Sequence, residues 1–98
     1  MIKETRQNCS SVRSIGMTGH AGYAEEGKDI VCAAASILLF TLIEHLERTG
    51  IPYSSYAEKG SAGVAVTDPD RKTQEVFDVI ETGYILLAEK YPEHVELA

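Results

Sequence analysis

The sequence predicts an α+β fold: a two-layer sandwich of two helices packed on a mostly antiparallel sheet of four to five strands. Three observations predict it. Two long stretches, near 30–48 and 71–90, carry helical spacing and sit between acidic capping residues and glycine or proline stops. The short apolar–polar stretches come in pairs around polar turns, as hairpins do. The helices stand apart from those pairs, which is the α+β arrangement.

In chain order, residues 1–18 read as two short strands around the turn Gln7-Asn8-Cys9-Ser10-Ser11, the second strand carrying Val12, Ile15 and Met17. A glycine-punctuated segment follows, Gly19-His20-Ala21-Gly22-Tyr23-Ala24-Glu25-Glu26-Gly27, and three glycines in nine residues predict an irregular loop. Asp29 is placed to cap a helix from Ile30 to Arg48, which Thr49-Gly50 and Pro52 end. Its first half is apolar nearly all round, so burial on more than one side is expected. Tyr53–Glu58 and Gly63–Thr67 form a second hairpin turning at Lys59-Gly60-Ser61 and ending at Asp68-Pro69-Asp70. A second helix runs from Arg71 to Lys90, capped by Asp70 or Asp68, with Val76, Phe77, Ile80, Tyr84 and Leu87 on one face. Pro92 stops it, and Val95-Glu96-Leu97 adds a short edge strand.

The 98 residues read as one domain over 1–98, and 44% hydrophobic residues suffice for a core. So short a chain leaves much surface unburied, which favours self-association. The net charge of −6, from 15 acidic against 9 basic residues, argues against a nucleic-acid partner and suits a basic one. Cys9 and Cys32 are too few for a disulfide scaffold, and no zinc-ligand spacing is present. The first residues lack the apolar stretch of a signal peptide. The apolar run Ile30–Ile43 falls short of a membrane span. A cytoplasmic protein with reduced thiols is expected.

Chemistry centres on Cys32. With Asp29 as cap, it is the third helical residue, and the positive end of the helix favours thiolate over thiol. The unpaired N–H groups of that turn are candidates to stabilise an oxyanion. His20, twelve residues earlier, can pair with the thiolate and protonate a departing amine if the loop folds back. Asp29 either orients that histidine or only caps the helix. Spacing alone equally fits a buried structural cysteine among Ile, Val and Ala. Cys9 reads as an incidental turn residue, and His45 and His94 as surface residues. Ser36 lies one turn after Cys32 on the same face and reads as a packing serine that can also help to hold a substrate.

The run Gly19-His20-Ala21-Gly22-Tyr23-Ala24 with Gly27-Lys28-Asp29-Ile30-Val31-Cys32-Ala33-Ala34-Ala35-Ser36 resembles the signature of the ribosomal-processing cysteine proteases, the Prp family. The order of elements is similar over nearly the whole chain; Ala35 stands where relatives often carry Val. The resemblance implies a catalytic dyad of His20 and Cys32, with Asp29 in the place of the family's acidic residue. It implies no metal or other cofactor, and a homodimer. It implies that the substrate is the short, aromatic-containing N-terminal extension of a large-subunit ribosomal protein. Gly19, Gly22, Tyr23 and Gly27 match the loop that orders over the substrate in such proteins. The competing expectations are a peptide-binding module without catalysis and a thiol hydrolase with another substrate.

Overall fold

Both hairpins and both helices form where the sequence places them. The computed structural model describes residues 1–25 and 27–98. The elements are β1 (Ile2–Asn8), β2 (Val12–Thr18), α1 (Ile30–Thr49), β3 (Ser54–Glu58), β4 (Ser61–Thr67), α2 (Arg71–Lys90) and β5 (Val95–Leu97). They build one five-stranded sheet in the order β3-β4-β2-β1-β5. All neighbours are antiparallel except β5, which adds to β1 in parallel with Ile2 opposite Val95. The result is the expected two-layer α+β sandwich.

Strand alternation turns Ile2, Ile15, Val64 and Val66 toward the helices, where all are buried. The same parity turns Glu4 and Arg13 inward, so the first hairpin looks irregular in sequence because its core positions include charges. Arg13 reaches α2 with Nη2 2.5 Å from Glu81 Oε2 and Nη1 3.0 Å from Asp78 Oδ1. Its guanidinium also lies 5.2 Å from the centre of the Phe77 ring. A cation shared between carboxylates and an aromatic face is the form in which charge tolerates burial.

Helix α1 buries the stripe Val31, Ala35, Leu39, Leu42 and Leu46 against the sheet and α2. Gly50 ends it in the left-handed conformation, φ 71°, where glycine meets no Cβ penalty. At 20 residues α1 is, by length and composition, apolar enough to cross a membrane, which the run Ile30–Ile43 understated. Here its stripe is the core of the sandwich. Burial against the sheet and a second element, α2, is found as expected, but not all round: Ile30, Ile37 and Phe40 stand 57%, 63% and 46% exposed. Sheet and α2 occupy one arc of the helix, and none of the described residues covers the other.

Asp70, rather than Asp68, caps α2, accepting from the Thr73 N–H at 2.8 Å. Phe77, Ile80, Tyr84 and Leu87 face the core as expected, whereas Val76 is half-buried. The Tyr84 hydroxyl donates to the Ala35 carbonyl at 2.7 Å, tying α2 to α1. Burial, with the nearby Glu4 charge, pushes that phenol well above its ordinary value.

Candidate active site

The loop between β2 and α1 begins at Gly19, where the chain turns with φ +90°. A Cβ there would lie 2.3 Å from the Met1 carbonyl oxygen, so only glycine lets β2 end this close to β1. The next residue, His20, is thereby brought over the β3–β4 turn, its Nε2 3.5 Å from where a Cβ of Gly60 would sit.

Asp29 closes the loop from the other end. Its Oδ1 accepts from the Val31 and Cys32 N–H groups at 2.9 and 3.0 Å, capping α1. Its Oδ2 accepts from the Tyr23 and Ala24 N–H groups at 3.0 and 3.3 Å. One carboxylate thus fastens helix and loop together. Desolvation works against its charge, but the four N–H donors outweigh it and hold the carboxyl below its ordinary value. Among the described residues no hydrogen bond or ion pair joins Asp29 to His20, and its hydrogen bonds are those of a helix cap. Because the cap takes the Val31 and Cys32 N–H groups, these are not the unpaired oxyanion donors the sequence suggests.

Cys32 is half-buried and its Sγ accepts from the Ala21 N–H at 3.2 Å. Among the described residues no hydrogen bond joins it to His20. The two residues nonetheless share two cavities. One, of about 420 Å³, is lined by His20, Gly22, Ala24, Gly27, Asp29, Cys32, Ala33 and Ser36. The other, of about 260 Å³, runs toward β4 and the β3–β4 turn, where Gly19, Phe40, Glu58 and Ala62 join His20, Cys32 and Ser36. An extended chain passing from one cavity to the other would cross the thiol and the imidazole. Apo geometry with a loose base–nucleophile contact is common, because such contacts tighten on the substrate.

Of the other sequence-derived residues, Gly19, Gly22, Gly27 and Ser36 line these cavities and Tyr23 does not. The Tyr23 ring packs edge-on against Tyr91 and His94, with centroids 5.5 and 5.4 Å away. His94 is therefore no plain surface residue: it is half-buried, and its Nδ1 lies 2.9 Å from the Ala21 carbonyl oxygen. Sequence reasoning missed it. The available signal was its place just before β5, which sets it beside the start of β1 and so beside the end of β2. His45 is exposed as expected, and Cys9 is an exposed turn thiol bonded to Ser11. Among the described residues no three His, Cys, Asp or Glu side chains are grouped to hold a metal ion.

Fold and site together define a small α+β protein with a thiol at a capped helix head, an imidazole across a glycine loop and a groove through both. The sequence model described as Cysteine protease Prp matches residues 1–96, and the chain belongs to that family of cysteine proteases. It is 35% identical over 77 residues to the ribosomal processing cysteine protease Prp of Mycoplasma genitalium, covering 79% of this chain and 78% of that one. Among solved structures, SMU.848 from Streptococcus mutans is 32% identical with a TM-score of 0.75, covering 99% and 91% of the two chains. A Prp from S. aureus, in complex with a covalently linked product peptide, is 24% identical with a TM-score of 0.87, covering 99% and 97%; that likeness is one of fold.

Proposed function

We propose that the protein is a cysteine endopeptidase that removes the N-terminal extension of a large-subunit ribosomal protein, with Cys32 as nucleophile and His20 as acid and base. The observation that carries this reading is that His20 and Cys32 line the same two cavities. Membership of the Prp family supports it, as do the product and substrate peptides seen with the S. aureus relative. The Cys32 thiolate adds to the scissile carbonyl carbon, and the tetrahedral intermediate collapses as His20 protonates the leaving amine. Water, deprotonated by His20, then opens the thioester and frees Cys32. Ser36, Gly22 and Gly27 line the groove beside the reacting carbonyl. The acidic surface, net −6, attracts a basic substrate. The active form is a homodimer in the cytoplasm, where its two thiols stay reduced.

The test is incubation of the purified protein with the extended ribosomal precursor. Wild type yields one shortened product, while Cys32→Ala and His20→Ala, each with a wild-type circular dichroism spectrum, yield none. An intact precursor with a reactive Cys32 would mean a thiol hydrolase with another substrate. Tight binding without any product would mean a peptide-binding module.

A further inference from the structure

We infer that His94 is a positioning residue for this reaction: it holds the Ala21 segment so that the Ala21 N–H points at the sulfur of Cys32. The inference rests on the reading of Cys32 as nucleophile and adds a residue to it. A carbonyl oxygen only accepts, so the 2.9 Å contact between His94 Nδ1 and Ala21 O requires a proton on Nδ1. Ala21 is thus tied at both ends, its carbonyl by His94 and its N–H by Cys32 Sγ at 3.2 Å. Its methyl is buried in the core, 2% exposed, which fixes the residue between these bonds.

His94 is itself anchored. Its N–H donates to the Tyr91 carbonyl and its carbonyl accepts from the Ile2 N–H, both at 2.9 Å. Its ring packs against Tyr23, three residues past His20. The segment from α2 to β5 therefore forms a rigid wall behind the loop. The assignment matters because Asp29 takes two of the N–H groups at the helix head. Among the described residues Ala21 is the backbone donor on the sulfur, and a donor there stabilises the thiolate that attacks.

The test compares His94→Phe, which keeps a ring against Tyr23 without a donor, with His94→Asn, whose amide nitrogen takes the place of Nδ1. His94→Gln, whose amide reaches the place of Nε2 instead, serves as a second donor-misplaced variant should the Phe variant not fold. Two readouts are taken: the rate of iodoacetamide alkylation at Cys32 near pH 6.5, and kcat and KM on the precursor peptide. With melting temperatures near wild type, His94→Phe or His94→Gln slows alkylation and lowers kcat about five- to tenfold, the worth of one hydrogen bond, with KM little changed. His94→Asn restores most of both. Wild-type rates in His94→Phe and His94→Gln, or a His94→Asn no better than they are, would overturn the assignment. Should the wild type not cleave the peptide, the proposed reaction fails, while the alkylation rates still decide whether His94 acts on Cys32.

Discussion

At the scale of single residues, Asp29 holds the site together, and its ionisation sets a pH window. Its folded value lies below the ordinary 3.8, because four N–H donors outweigh desolvation. A group depressed in this way contributes stability that is fully present above its unfolded value and is lost as pH falls through its folded one. Asparagine in its place would keep a cap without the charge. The stability gap between wild type and Asp29→Asn, measured by thermal melts, is therefore expected to be constant at neutral pH and to close below about pH 3.8. A gap that persists into strong acid would show that the carboxylate does not matter as a charge. Cys9 complicates thiol chemistry on this protein. Hydrogen bonds, first from the Ser11 side chain, hold its thiol below the ordinary 9.0. Labelling of Cys32 must therefore be resolved site by site, for total thiol consumption would include an exposed and partly activated Cys9.

At the scale of elements, α2 is fastened to the first hairpin by charge as well as by apolar packing. Arg13, 1% exposed, sits between Glu81 and Asp78. Removing the cation leaves the buried Glu81 carboxylate with only the more distant Arg6, 3.8 Å away, while Asp78 is exposed, so Arg13→Ala is expected to cost about 3 kcal/mol in urea unfolding. A loss under about 1 kcal/mol would mean that water reaches the pair. Beside it, Glu4 is fully buried, with Arg6 Nη2 3.1 Å from Oε1 and neither oxygen in a well-formed hydrogen bond. Burial, foremost, pushes Glu4 above the ordinary 4.5; Arg6 opposes this and the Glu81 charge adds to it. A raised acid favours folding below its unfolded value, and that contribution fades as pH rises through the folded one. Wild type should thus lose stability relative to Glu4→Gln as pH rises above about 4.5 toward neutral; parallel pH profiles would refute this. The same layer explains what the sequence hid. Asp29, Gly50 and Pro92 announce their helix ends by local chemistry, and the hairpins and β5 follow from spacing and turns. Inward-facing Glu4 and Arg13 break the apolar alternation, and the carboxylates that hold Arg13 lie on α2, 65 and 68 residues further along the chain. His94 was legible only as far as its place before β5: its contact with Ala21 depends on β5 pairing with β1, a contact across the whole chain. The cavity that gathers His20 and Cys32 was half legible, since Gly19 and the Asp29 cap mark its two ends but not how the loop folds between them.

At the scale of the whole molecule, the outer face of α1 asks for a partner. Ile37 and Phe40 are exposed and line a shallow depression with Thr41, Glu44, His45 and Arg48. Phe40 also lines the second cavity beside Cys32, so a second copy seated on this face would adjoin the groove. An apolar helix stripe left open on a chain of 98 residues fits the proposed homodimer. Each copy carries −6, so the two repel until salt screens them over a Debye length of about 10 Å at 0.1 M. An interface made by Ile37 and Phe40 should therefore tighten as salt rises, whereas one made of ion pairs would loosen. Sedimentation equilibrium at tens of micromolar is expected to give a dimer that strengthens between low and moderate salt. Ile37→Asp, at a position that lines neither cavity at the thiol, should sediment as a monomer while Cys32 keeps its alkylation rate. A monomeric wild type under these conditions would refute the dimer. A dimer untouched by Ile37→Asp would place the interface elsewhere and leave the α1 face without its proposed role.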